Sequence, residues 1–446
     1  MLALKIVISV ILILLHIIMT SMMIILERDK PRNLIIWSFV FLFTNIVGYT
    51  IYIILRLVFY KKKKSLMIKQ REDDIYRKLI EKDLSDNDIS TSNYLYQFNK
   101  MAFGATLTKN NEYTIFDKYS TFIVDLKKSL QNAKNTIIFE VSKVNKNDFQ
   151  QIAEILIARA SAGVKVKFVY DSIISSKLKK QLLKGGVKVH RFSKHNTLGR
   201  VYGNKRNLIT IDGDVAYICN LNTNKRITQG KYDVADAIIK FKGDIVQEMA
   251  ISSHEDAVFA GNKFIDFKHS TNDEINNDCQ MQFITNEINT DMELLIINAI
   301  TLAKSSIQLQ LEEFIPTESI MSLLRFAINS HIEVRLMVPL KTNYHSKYYA
   351  TRAYAKELAL MGANVYLYDG FIRFNSIVVD NSYVIFGSYI FDREHIGSSI
   401  QSAVIIEDSK AVDYFNQNFT QCIDNSYRIS NAKYMMIRER FFKNFV

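Results

Sequence analysis

The chain has 446 residues, enough for about three structural units at the ~150 residues typical of a domain. Fifteen glycines and three prolines exclude collagen, flexible repeats and proline-rich linkers, and three distant cysteines, Cys219, Cys279 and Cys422, exclude a disulfide framework and a cysteine-rich zinc site. A hydrophobic fraction of 48%, a charged fraction of 23% and a net charge of +12 describe a folded basic chain of a reducing compartment, with either nucleic acid or phospholipid as its anionic partner.

The first element is an apolar run from Leu2 to Leu26, interrupted only by Lys5 and His16 and long enough to cross a ~30 Å hydrocarbon core. A second run, Leu34 to Phe59, carries no charge before Arg56 and has Trp37, Tyr49, Tyr52 and Tyr60 as interfacial anchors. Residues 1–60 therefore read as a transmembrane helical hairpin, with His16 as a helix–helix contact. A cleaved leader is the rival reading for the first run, disfavoured by an apolar stretch beyond the usual ~7–15 residues and by the lack of an A-x-A site after it. Arg56 and Lys61, Lys62, Lys63 and Lys64 outweigh the cations of the 27–33 loop, which predicts two spans in the cell membrane, a cytoplasmic C-terminal body and a lysine run at the leaflet surface. Residues 61–105 read as a basic juxtamembrane segment and linker, with an exposed helix beginning near Arg71.

Beyond the linker the sequence repeats itself. Asn132-Ala-Lys-Asn-Thr-Ile137 and the strand-like run after it are echoed at Leu302-Ala-Lys-Ser-Ser-Ile307. Gly163 to Asp171 is echoed by His331 to Pro339, and Gly185 to His190 by Met361 to Tyr366. Lys205-Arg-Asn-Leu-Ile-Thr-Ile-Asp212 matches Arg373-Phe-Asn-Ser-Ile-Val-Val-Asp380. Strands alternating with helices predict two α/β domains, 106–270 and 280–446, each around a mixed sheet and packed about a pseudo-twofold axis, with a polar loop at 272–278 between them. Alternation along a strand places Lys205 with Asn207, and Arg373 with Asn375, at its mouth. The duplication then predicts two cations, two amides and two carboxylates, Asp212 and Asp380, around one phosphate-attracting pocket. The competing reading is surface charge with the aspartates in turns.

With these residues in view, the chain resembles the bacterial cardiolipin synthases of the phospholipase D superfamily. The likeness is carried by Glu27-Arg-Asp-Lys-Pro31, Trp37 and Val47-Gly-Tyr49 in the hairpin, Ala162 to Val166 with Tyr170-Asp171 in the first copy, and Phe314-Ile-Pro316, Gly387-Ser388 and Asp392 in the second. It implies a phospholipase D-like fold for both repeats. Such enzymes carry His-x-Lys-x-x-x-x-Asp twice, one His attacking the phosphodiester and the other protonating the leaving alcohol. Here the His places hold Lys205 and Arg373, the Lys places hold Asn207 and Asn375, and Asp212 and Asp380 remain. Lys and Arg are cations at neutral pH and cannot replace an imidazole as nucleophile or proton donor. None of His190, His195, His345 and His395 has the spacing to stand in. Cys219-Asn220 occupies the place of the expected Gly-Gly, Ile390 that of an Asn whose first-copy counterpart, Asn222, is kept, and Glu140 that of a family acidic residue.

The resemblance and its departures imply a membrane protein without phosphohistidine chemistry, cofactor or metal. Its expected partner is anionic phospholipid, held by Lys205, Arg373, Asn207, Asn375, Asn222 and Ser388, beside a catalytically complete cardiolipin synthase paralogue. An active phosphatidyltransferase is the second reading and a nucleic-acid or phosphodiester binder the third; the hairpin and the scarcity of aromatics around Lys205 disfavour nucleic acid. The tail Tyr434 to Lys443 is a basic amphipathic helix, expected to pack on the second domain and able to lie on a membrane.

Overall fold

A computed structural model describes residues 2–27, 33–44, 46–57, 91–142, 144, 149–171, 174–192, 203–221, 233–261, 275, 277–286, 292–342, 345–389, 391–392, 399–429 and 437–445. Lys61 to Lys64, Asn222, His195, Ile390 and His395 lie outside these residues.

The apolar N-terminus forms the helix Leu2–Glu27, long and apolar enough to cross a membrane. The second run is described as two shorter apolar helices, Asn33–Thr44 and Ile46–Leu57. Met19 and Met23 of the first run pack on Phe41, Tyr49 and Tyr52 of the second. His16 meets the Tyr49 hydroxyl, the helix–helix contact expected of it. Near the end of the pair Glu27 accepts from Asn33 and pairs with Arg56 at 2.9 Å, so its carboxylate is not left bare beside apolar surface.

Part of the stretch expected to be linker is helix. Tyr94–Phe103 is capped by the Asn93 side chain at one end and by left-handed Gly104 at the other. Leu95, Tyr96, Asn99 and Phe103 share its buried face. Asn99 donates to Gln282 and the Tyr96 hydroxyl to Glu407, so the helix belongs with the second repeat.

The duplication is visible strand by strand. The first sheet runs in the order Asn111–Phe116, Ile238–Gly243, Val215–Ile218, Leu208–Ile211, Thr136–Val141, Lys165–Tyr170, Lys188–Arg191. The second repeats this order with Gln280–Thr285, Ser402–Glu407, Tyr383–Gly387, Asn375–Val379, Ser306–Gln310, Glu333–Pro339, Asn364–Tyr368, and adds Leu107–Thr108 and Ser426–Arg428 at its edges. In both, the last three matched strands are parallel and the others antiparallel, the mixed sheet expected of α/β crossovers next to hairpins.

The layers follow from which faces are apolar. Helices Tyr119–Asn132, Gln150–Ser161 and Ser176–Lys184 cover the outer face of the first sheet through Phe122, Leu126, Leu156 and Leu182. Helices Glu293–Leu302, Glu318–Asn329 and His345–Leu360 cover that of the second. Between the sheets lie two central helices, Ile245–Phe259 and Ser409–Asp424, whose Ile245, Met249, Phe415 and Phe419 share one core with Phe241, Phe283 and Phe386. Two short parallel ribbons cross between the repeats: Gly203–Asn204 pairs with Ser399–Ile400, and Asp233–Ala235 with Gly370–Ile372. Each is the other's counterpart under the pseudo-twofold, and each delivers one motif cation to the junction.

Candidate functional site

The ribbons place Lys205 and Arg373 symmetrically. The Lys205 backbone N–H donates to Ile400 O at 2.8 Å, and that of Arg373 donates to Ala235 O at 3.0 Å. Both motif cations thus stand at the repeat junction, as the spacing requires. Lys205 is half-buried there.

Arg373 is 4% exposed and committed to the protein. Its Nη1 pairs with Asp236 of the first repeat at 2.9 Å, its Nη2 donates to the Asn220 carbonyl, and the Asn220 amide returns a bond to Arg373 O at 3.4 Å. The guanidinium also lies over the Tyr119 ring, 5.6 Å from its centroid. Burial raises the Asp236 carboxyl to about 6, opposed by Arg373 and a backbone N–H. Where the resemblance implies a histidine, the chain has a guanidinium that joins the two repeats.

The two asparagines are equally occupied and mirror each other. Asn207 Oδ1 accepts from the Ser142 N–H at 2.8 Å, and Asn375 Oδ1 from the Glu312 N–H at 2.9 Å. Asn375 Nδ2 also donates to Tyr389 O at 2.7 Å. Asn207 is left-handed, with φ of 52°, a conformation Asn tolerates and Lys resists. Ser388 exchanges bonds with the Ser402 backbone across the sheet.

The aspartates are elsewhere. Asp212 and Asp380 lie five residues along the strand from Asn207 and Asn375, roughly 17 Å at ~3.3 Å per residue. Each is a left-handed turn residue, with φ of 55° and 51°. The Asp212 carboxylate accepts from the N–H groups of Lys134, Asn135 and Thr136 at 2.7–2.8 Å, and Asp380 from those of Lys304, Ser305 and Ser306. The expected grouping of both carboxylates with the cations is therefore corrected: alternation sets the face of a strand but not the end, and these aspartates cap the turn that enters the neighbouring strand. Burial works to raise the Asp380 carboxyl, but the three N–H donors and the Ser305 hydroxyl outweigh it and hold it below its usual range. Its depressed value means that Asp380 adds stability above the ordinary carboxylate value near ~3.9, lost as pH falls through the lower folded value. Asp380→Asn is expected to cost about 1.5–3 kcal/mol at neutral pH, read as a lower thermal midpoint, and to flatten acid unfolding.

Glu312 was not singled out from the sequence, although it follows the strand end that Asn375 fixes. Its side chain is open to solvent, yet it stands within electrostatic reach of Glu313, Lys347, Arg373 and Lys205. Crowding by the surrounding chain raises its carboxyl to about 7, Glu313 adds to the rise, and the three cations oppose it. Water at the exposed side chain tempers that rise. Glu313 pairs with Lys347 at 2.7 Å. Lys205, Arg373 and Lys347 thus face Asp236, Glu312 and Glu313, three cations against three carboxylates, rather than an unopposed cationic pocket.

A second unforeseen feature is ionic and buried. Arg206, next to Lys205, pairs with Asp256 at 2.7 Å, donates to the Ser252 hydroxyl at 2.5 Å and reaches Thr285 of the second repeat. Asn204 bridges Asp256 and Glu140. Burial first, and then the Asp256 charge, push the Glu140 carboxyl well above its usual value, against the opposing pull of Arg206 and Asn204.

Neither His190 nor His254 replaces the missing pair. His190 lies on the edge strand, separated from Leu208–Ile211 by two strands, roughly 14 Å at ~4.8 Å per strand. His345 opens a helix. His254, on the central helix Ile245–Phe259, is 5% exposed and lines a cavity of about 10 Å³ with Lys167, Thr136 and Thr210. Burial and Lys167 lower its pKa to about 3, so it stays neutral and cannot donate a proton near pH 7. Among the described residues no group of three His, Cys, Asp or Glu could hold a metal ion.

Comparison with known proteins agrees with this architecture. Residues 296–423 match the family described as cardiolipin synthase, PLD-like domain. The cardiolipin synthase of Oceanobacillus iheyensis is 26% identical over 94% of this chain and 93% of its own length. The probable cardiolipin synthase YwiE of Bacillus subtilis is 26% identical over 91% of this chain and 85% of its own. In fold the chain is similar to the phosphatidylserine synthase of Haemophilus influenzae, with a TM-score of 0.57 at 10% identity, covering 79% of this chain and 97% of the other. Over nearly its whole length the chain is thus similar to cardiolipin synthases, and residues 296–423 match that family's PLD-like domain.

Proposed function

We propose that this chain is a membrane-bound, non-catalytic member of the group, which binds phospholipid head groups at the repeat junction and acts on phospholipid synthesis beside a catalytically complete synthase. Two spans and a cytoplasmic body belong to the same reading. The observation that carries it is Arg373. A phosphodiester at this place would meet a guanidinium already neutralised by Asp236, and neither motif offers an imidazole to attack it. Phospholipid rather than nucleic acid is favoured by the apolar helix Leu2–Glu27 and by the near full-length similarity to cardiolipin synthases.

Glu312 makes head-group binding pH-dependent. As pH falls toward its raised value it takes up a proton, and the balance near Lys205 shifts toward positive; at higher pH its charge opposes an anion. Dioctanoyl phosphatidylglycerol, titrated into the full chain in non-ionic detergent, is expected to bind roughly three- to tenfold more weakly at pH 8.5 than at pH 5.5. Glu312→Gln should remove most of that slope, and Lys205→Ala should weaken binding and its salt dependence at both pH values. Binding indifferent to both substitutions would remove the junction from the lipid site.

A further inference from the structure

The tail helix Ile437–Phe445 has two chemically distinct faces. One is fixed to the helix His345–Leu360. Glu439 is 0% exposed and pairs with Lys356 at 2.7 Å and Arg352 at 3.3 Å. Lys443 pairs with Glu357, and Phe442 stacks on Tyr349 with centroids 5.6 Å apart. These bonds confirm the expected packing on the second repeat, and they also fix what points away from it.

At ~100° per residue, Ile437 and Phe441 lie about 40° apart and Arg440 about 60° to the other side of Ile437, with Glu439 roughly opposite. Ile437 is 88% exposed and Phe441 56% exposed, and Arg438 and Arg440 are exposed beside them. The acid of this helix is thus turned inward and neutralised by two cations of the supporting helix, while the outer face carries two large apolar side chains and Arg440, with Arg438 at its edge donating to the Tyr349 hydroxyl at 3.5 Å. An outer face of that composition matches the boundary of an anionic bilayer, where apolar side chains enter the acyl region and arginines meet phosphates. The chain carries its own membrane-length helix, Leu2–Glu27, which would keep such a surface within reach.

We propose that the tail helix is a second membrane contact, docked on the repeat through Glu439 and inserted shallowly into anionic lipid through Ile437 and Phe441. It is independent of the lipid site at the repeat junction. The test uses the full chain with Trp37→Phe and Phe441→Trp, reconstituted in nanodiscs of phosphatidylcholine alone or of equal parts phosphatidylcholine and phosphatidylglycerol. Lipids brominated on the acyl chain should quench the indole strongly in the anionic discs and several-fold less in the zwitterionic ones, while aqueous iodide quenches it poorly in the anionic discs. Ile437→Trp in the same background should report the same pattern. Adding Arg438→Glu and Arg440→Glu should reduce the quenching by brominated lipid several-fold. An indole reached by iodide and not by brominated lipid overturns the proposal, and so does one shielded from both, which would mean that protein covers this face.

Discussion

Arg373→Ala is expected to destabilise the folded chain by about 3–5 kcal/mol, the loss typical when one partner of a buried ion pair is removed. The substitution leaves Asp236, 4% exposed, without its guanidinium and removes the bond to the Asn220 carbonyl that ties the second repeat to the first. Thermal unfolding in detergent should show a midpoint lower by roughly 5–10 °C. Arg373→Met combined with Asp236→Leu should recover much of the loss, because an apolar pair of similar size needs no charge compensation. A single variant as stable as the parent would show that the guanidinium is not a lock. The same geometry sets the outcome of restoring a histidine here: Asp236 loses its partner, and Asn207→Lys would force a left-handed backbone on a residue that resists it.

The second large effect belongs to Arg206→Ala, again about 3–5 kcal/mol, since Asp256 would remain buried with only the Asn204 amide to answer it. Glu140→Gln should cost less than Arg206→Ala, because burial and the Asp256 charge already favour the protonated form of that carboxyl. The pH dependence separates the two. A carboxyl raised in the folded state binds more protons folded than unfolded, so it lowers stability as pH rises from the ordinary value near ~4.3 toward the raised one. Glu140→Gln should remove that slope; Arg206→Ala should steepen it. Chemical denaturation at several pH values measures both.

The repeat was legible in the sequence because strand alternation and the helix-to-strand junctions recur at a nearly constant offset, and both sheets follow that reading strand by strand. The symmetric placement of Lys205 and Arg373 was legible for the same reason. What stayed hidden was what each side chain bonds to. Arg206 looks like one more surface cation beside Lys205, because its partner Asp256 is 50 residues away on a helix with no local spacing to announce it. Arg373 and Asp236 are separated by 137 residues. The helix Tyr94–Phe103 was hidden by the polar stretch before it, although Leu95, Asn99 and Phe103 keep the four-residue spacing of a buried face. The crossing ribbons are two or three residues long, too short for any periodicity to reveal.

These observations describe a phospholipase D-like duplication in which groups at the motif places hold the two halves together. Arg373 occupies its place without offering a nucleophile, the asparagines bind backbone N–H groups, and the aspartates cap distant turns. The central claim is the absence of turnover, and one measurement addresses it most directly: the purified full chain in non-ionic detergent, incubated with phosphatidylglycerol carrying a labelled glycerol head group, with cardiolipin and released glycerol followed by chromatography. Neither product should rise above the level of a mock purification at any pH from 5.5 to 8.5. Cardiolipin and glycerol formed in equal amounts, at a rate that follows the protein through purification and disappears in Lys205→Ala, would contradict the account.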